Sequence, residues 1–295
     1  MQKKVLGRTG MKITRLGYGA MELRNTQFRN GLAFTSKDAE LILNKVLDSG
    51  INFIDTSYDY LNSEECIGRF IRHRRSEFYL ASKCGCTDQP GGDGYHVHIW
   101  TRSNLLSNIE NSLRRLMTDH LDVWQLHNPT LKDIHDGDLI EVMEEVRQAG
   151  KVRFIGASIK LPHACGFIET GAFDTLQIPY SAMEVDHEEL IGQAASAGIG
   201  TIIRGGISQG SALNTRQQVM DKWKKWETAK LDELLLLGQS RSQFLLSYLL
   251  TNSAIDTMLV GTITPDHLDS NVAAITHGPL PQEICNEVRR RLMGI

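Results

Sequence analysis

The sequence predicts an α/β fold: a parallel (β/α)8 TIM barrel with an N-terminal β-hairpin and an extended loop after strand seven. Three observations lead to it. Counting from LGYGAM near the start, eight strand candidates are each followed by a helix candidate, and from residue 38 onward little else stands between them. Those strands are too apolar to face water on either side, which is the pattern of a parallel sheet covered by helices. A chain of 295 residues also suits one such barrel of about 250 residues with additions. No linker rich in Pro, Gly or Ser divides it, so residues 1–295 read as a single domain. An open doubly wound sheet is the competing architecture. It usually carries G-x-G-x-x-G after the first strand, and Gly17-Tyr18-Gly19-Ala20-Met21-Glu22 does not supply that.

Each element has its own signal. VLGRTGMKITRL reads as a two-stranded hairpin with Gly7-Arg8-Thr9-Gly10 as its turn, placed to plug the bottom of the barrel. LGYGAM is the first strand. Lys37-Asp38 leads into AELILNKVLDSG, apolar at helical spacing and closed by Gly50. INFID is the second strand, and SEECIGRFIRH a helix opened by Ser63 with carboxylates in its first turn. FYLASKCG, LDVWQLH and VRFIGAS are strands three to five, separated by RSNLLSNIENSLRRLM and DLIEVMEEVRQAG. LPHACGFIETG, FDTLQIP, HEELIGQAASAG and IGTIIRGG carry the alternation through strand seven. A polar insertion over residues 205–230 follows, in which Trp223 and Trp226 read as part of an exposed helix, or else of a lid. SRSQFLLSYLLTN, IDTMLVG and TPDHLDSNVAAI complete the alternation.

Composition narrows the partners. A net charge of -3 gives no reason to expect nucleic acid or an anionic membrane. The N-terminus lacks the apolar core of a secretory signal, and no apolar stretch approaches a membrane span of about 20 residues. Five scattered cysteines (Cys66, Cys84, Cys86, Cys165 and Cys285) point to reduced thiols and a cytoplasmic location. Cys84-x-Cys86 has no second pair and His96-x-His98 no third ligand in view, so no metal is expected. No oligomeric state can be read from the sequence.

In a barrel the loops at the C-terminal strand ends build the active site. Here the second strand ends in Asp55 with Tyr60 in its loop, the third in Lys83, and the fourth in His127. Taken singly, a lysine or histidine there is more often structural. Together they supply an acid, a phenol, an ammonium and an imidazole on one rim. A nearby ammonium favours the phenolate, and a carboxylate keeps that lysine charged and in place. Such a set moves a proton on or off an oxygen as its carbon changes oxidation state.

The sequence resembles the aldo-keto reductases over essentially its whole length. The resemblance is carried by LGYGAM, FIDTSYDYLNSEECIG, ASKCG, SLRRLMTDHLDVWQLHNP, GKVRFIGAS, LQIPYS and VGTITPDHLDSNVAA. It implies hydride transfer between NADPH, or alternatively NADH, and a small-molecule aldehyde or ketone. It assigns Tyr60 as proton donor, Lys83 and Asp55 as the groups that tune it, and His127 as the residue that orients the carbonyl. It places Gly19, Ala20, Met21, Asp55, Ser158 and Gln177 around the cofactor. Arg204 stands where the family often has an aromatic residue; it can stack on the nicotinamide or form an ion pair at the rim. Gly205, Gly206, Ile207 and Gly210 match the pyrophosphate loop, and Gly261, Thr262, His267 and Asn271 the adenosine pocket. Gly261 and His267 replace the Lys or Arg usual in NADPH-preferring members, and Leu61 replaces the usual glycine after the tyrosine.

On the substrate side Tyr95, His96 and Trp100 stand with His127 as polar and aromatic walls, which leans towards a sugar or other hydroxylated carbonyl compound. Two alternatives remain. One is an NAD-dependent dehydrogenase, or an internal redox isomerase or epimerase, acting on a sugar-like alcohol. The other is a non-catalytic nicotinamide-binding regulatory barrel.

Overall fold

Eight parallel strands close on themselves in chain order in the computed structural model, which describes residues 1–24, 35–90, 96–162, 164–208 and 217–294. They are β1 (Leu16–Gly19), β2 (Phe53–Asp55), β3 (Tyr79–Cys84), β4 (Leu121–His127), β5 (Val152–Ser158), β6 (Thr175–Pro179), β7 (Gly200–Arg204) and β8 (Thr257–Val260). Among the described residues no helix is long and apolar enough to cross a membrane. Tyr95 and Gly210, expected at the substrate mouth and in the pyrophosphate loop, lie outside the described residues.

The predicted hairpin forms, pairing Lys3–Val5 with Lys12–Thr14, and it does plug the floor. Its Leu6, Met11 and Ile13 are buried in one cluster with Phe53, Ala81, Val123, Ile202 and Leu259 from five barrel strands. The connection between the strands, Leu6 to Met11, is longer than a four-residue turn, and Gly7–Thr9 within it wind into a 3-10 turn. Gly7 has φ of +44°, and a Cβ there would lie 2.2 Å from the Gly200 amide nitrogen, so the close approach to the floor requires glycine.

The floor also carries a repeated clamp. Asn52, Asp122, Asp174 and Asp256 stand at or just before the starts of β2, β4, β6 and β8, and all four are buried. Each side chain accepts a backbone N–H from the preceding segment: Thr14 of the hairpin, just before β1 (2.7 Å), Leu80 of β3 (2.8 Å), Ile155 of β5 (3.1 Å) and Thr201 of β7 (3.0 Å). A buried amide without a partner costs about 1–3 kcal/mol, so these acceptors hold the strand register at its lower end.

The insertion after β7 departs from expectation. Gln217–Thr228 is helical, but Trp223 and Trp226 are buried, neither on an exposed face nor in a lid. The Trp226 indole N–H donates to Asp232 at 3.0 Å and its ring meets Phe244 edge-on at 5.6 Å. Arg241 lies over both indoles, which pins the helix to the barrel wall.

Candidate active site

Pleating decides what reaches the rim. Side chains two residues apart on a strand face the same way, so the interior changes from apolar to polar over one step. Phe53 gives way to Asp55, Ala81 to Lys83, and Val123 to Gln125 and then His127. Register brings Lys83 beside Gln125, His127 beside Ser158, and Ser158 beside Gln177.

The centre is a buried ion pair. Lys83 Nζ donates to Asp55 Oδ1 at 2.6 Å and to the Thr56 carbonyl at 2.8 Å. The other carboxylate oxygen, Oδ2, accepts from Gln125 Nε2 and Gln177 Nε2, both at 2.9 Å. Ser158 Oγ in turn donates to Gln177 Oε1 at 3.0 Å. Burial opposes the Lys83 ammonium, but the Asp55 carboxylate, and the Tyr60 oxygen once ionised, outweigh it and hold its pKa above the ordinary lysine value.

Tyr60 sits above this pair, with Lys83 Nζ 4.9 Å from its ring centroid. Its loop is a run of tight turns, Tyr60 N–H to the Ser57 carbonyl and Ser63 N–H to the Tyr60 carbonyl. Ser63 does not cap the helix Ser63–Ile71 as expected; its hydroxyl donates to the Ala20 carbonyl at 2.8 Å and ties the β2 loop to the end of β1. Leu61 adopts φ of +44°, which explains why glycine suits that position. Lys83 favours the Tyr60 anion, as expected of a nearby ammonium, but it does not prevail. Burial raises the Tyr60 pKa and Lys83 lowers it, while Asp55 and Asp59 add to the rise, so the phenol stays above its ordinary value and protonated at neutral pH.

His127 packs edge-on to Tyr60, with ring centroids 6.1 Å apart. Its Nδ1 faces three groups: Cys86 Sγ at 3.3 Å, Ser57 Oγ at 3.4 Å and Asp59 Oδ1 at 3.4 Å. Burial opposes the Asp59 carboxylate, yet His127 and a hydrogen bond from Ser57 hold its pKa well below the usual range. Burial, with Asp59 next, pushes the Cys86 thiol up. Asp59, Gln125 and Cys86, which line this cluster, are not among the site residues the sequence points to. Gln125 was findable, since it precedes His127 by two residues on one strand.

The remaining sequence-predicted residues divide. Arg204 ends β7 with its Nε buried and without a hydrogen-bond partner, and burial lowers its pKa against the charges of Tyr60, Glu184 and Asp55. Gly205 is left-handed, with φ of +73°, and Ile207 packs against the core. A Cβ on Gly206 would meet Leu249 at 2.4 Å. Gly261 passes so close to Gly19 that a Cβ there would lie 2.9 Å from its carbonyl oxygen. Ala20 and Asn271 are buried, Met21 is half-buried, and His267 is exposed on the first turn of the helix Pro265–His277. Thr262 is occupied locally, its carbonyl accepting from the Tyr18 hydroxyl at 2.8 Å. Trp100 is half-buried and stacks on His98 with centroids 5.6 Å apart, and His96 lies in the strand His96–His98.

Comparison with known proteins follows the same lines. The aldo/keto reductase family pattern matches residues 15–291. The chain is 27% identical to an uncharacterized oxidoreductase, YqkF, of Bacillus subtilis, over 96% of this chain and 94% of that one. It is 25% identical to the NADH-specific methylglyoxal reductase of Escherichia coli, over 93% and 94% of the two chains. The structure of aldo-keto reductase AKR11C1 from Bacillus halodurans, in its holo form, superimposes with a TM-score of 0.84 at 26% identity, covering 99% of this chain and 96% of that one.

Proposed function

The chain belongs to the aldo/keto reductase family, and we propose that it reduces a polar aldehyde or ketone to the alcohol, with Tyr60 as general acid. The observation that carries this reading is the buried Lys83–Asp55 pair against the Tyr60 ring, which itself packs edge-on to His127. A phenol kept protonated by burial is suited to giving up its proton to a developing alkoxide. Lys83 then stabilises the phenolate left behind, and Asp55 holds Lys83 in position with both carboxylate oxygens engaged. His127 steers the substrate oxygen towards Tyr60.

The residues present fit a nicotinamide cofactor. Arg204 Nε, Ser208 Oγ and Gln125 Oε1 are buried polar atoms without hydrogen-bond partners, and the first two lie at the end of β7 and in the loop after it. Ser158 and Gln177 would hold the nicotinamide end, Arg204 to Ile207 the middle, and Gly261, Thr262, His267 and Asn271 the adenosine end. When bound, the cofactor supplies the hydride. NADPH is the first reading, on family frequency. NADH is the second, because the segment from Gly261 to Asn271 offers no Lys or Arg and flanks the exposed His267 with Asp266 and Asp269. A dianionic 2′-phosphate there lacks a strong cationic partner.

A panel of aldehydes, ketones and sugars assayed with NADPH and NADH tests the proposal. Turnover of at least one hydroxylated or α-dicarbonyl substrate is the expected result. Cofactor binding without single-turnover oxidation by any aldehyde would favour a regulatory barrel.

A further inference from the structure

Behind His127 the rim holds two residues, Cys86 and His98, that the proposed hydride transfer does not use. Cys86 and His98 are register partners across the short antiparallel pair Cys86–Pro90 and His96–His98, which leaves the loop after β3. Opposed positions bring side chains within reach of one another. The pair is anchored from below: Asn108 accepts the Gly85 N–H at 2.8 Å and donates to the Cys86 carbonyl at 3.1 Å. The His98 ring is oriented by stacking on Trp100 and meets the His127 ring at a centroid distance of 5.5 Å, nearly perpendicular.

We propose that Cys86, His98 and His127 form a binding site for a divalent ion of the zinc class. One donor atom from each residue lies within 4.8 Å of the other two, and Cys86 Sγ is 3.3 Å from His127 Nδ1. Ligand atoms of a tetrahedral zinc site stand roughly 3.3–3.6 Å apart, from bond lengths of about 2.3 Å to sulfur and 2.0 Å to nitrogen. The Cys86–His127 edge already has that length, and a shift of roughly 1 Å by His98 would close the rest. One thiolate and two imidazoles favour zinc, cobalt or copper over magnesium or calcium. Binding releases the Cys86 thiol proton to solvent, and the Asp59 carboxylate beside His127 Nδ1 offsets the ion's remaining charge. Three protein ligands leave a fourth position for water, the pattern of an accessible site rather than a closed structural one. A metal on Nδ1 also leaves the imidazole proton on Nε2, so His127 becomes a fixed hydrogen-bond donor towards the substrate pocket.

Cobalt(II) titration of the full chain, followed by absorbance, tests the proposal without reference to turnover. The expected result is saturation at one ion per chain, with a thiolate-to-cobalt charge-transfer band and the intense visible bands of a tetrahedral ion. Cys86→Ser should abolish the charge-transfer band, and His98→Gln should weaken binding at least tenfold. His98 is half-buried on the hairpin, so its variant keeps the test available if Cys86→Ser fails to fold. Cys165→Ser, at an exposed thiol elsewhere, should change nothing. No saturable binding at submillimolar cobalt, or a band that survives Cys86→Ser, would leave a thiol–imidazole hydrogen bond and overturn the site.

Discussion

At the floor of the barrel Asp122 accepts the Leu80 N–H and pairs with Arg75 at 2.8 Å and Arg153 at 2.6 Å, two arginines that reach towards solvent. At the rim Asp55 is just as deeply buried, but its partners are a buried lysine and two glutamine amides. Both are aspartates at strand ends, and the difference lies in what remains unsatisfied nearby. Asp122 joins strand to strand, with its charge met by two arginines on the outer side. Around Asp55 one donor of Lys83 faces Tyr60, Gln125 Oε1 has no partner, and Arg204 Nε has none either. A saturated acid serves stability; an acid embedded among spare hydrogen-bonding groups is prepared for a ligand.

Substitutions at the two ends should therefore separate rate from stability. Tyr60→Phe should lower turnover by about 10²–10⁴-fold while nucleotide affinity and unfolding midpoint stay close to wild type. Steady-state kinetics beside fluorescence titration of the cofactor would check this, and a rate above a tenth of wild type would place the proton elsewhere. Lys83→Met should be nearly as damaging and should also move the pH profile. Lys83 is the chief influence lowering the Tyr60 pKa, so its loss raises that pKa. Alcohol oxidation, which needs the phenolate, should then begin at higher pH, and the alkaline fall of reduction should shift upward too. An unchanged profile with weaker cofactor binding would make Lys83 a binding residue only.

The opposite pattern is expected at the floor. Asp122→Ala strands the buried Leu80 N–H, so denaturant unfolding should show a loss of about 1–3 kcal/mol with turnover near wild type. A large loss of activity at unchanged stability would abolish the distinction between the two ends. The smallest effect belongs to the rim loop, where a left-handed Leu61 costs about 1–2 kcal/mol and glycine gives back part of that in chain entropy. Leu61→Gly should raise stability by no more than about 1 kcal/mol, read from the same unfolding curves.

Much of the site was legible because its residues end recognisable strands. Asp55, Lys83 and His127 each close an apolar run, and Tyr60 follows at loop distance. Gln125 was overlooked although the same alternation points it inward. Trp223 and Trp226 were misread because a helix rich in lysine looks solvated when its buried face has no visible partner; Phe244 and Arg241 are distant in sequence. Ser63 has the residue type of a helix cap, yet its hydroxyl is taken by the carbonyl of Ala20, 43 residues earlier.

By itself the sequence determined the barrel, its floor hairpin and the four groups at the rim, because periodicities of two and of about 3.6 residues are properties of local chain geometry. Tertiary structure alone decided which groups interact and with what consequence. Whether Tyr60 is an acid or an anion depends on burial summed with the charges of Lys83, Asp55, Asp59 and Arg204, contributed by three strands and a loop. Cys86, His98 and His127 meet only after a hairpin sets its register and β3 pairs with β4, since distances between side chains are fixed by closure of the sheet and not by spacing along the chain.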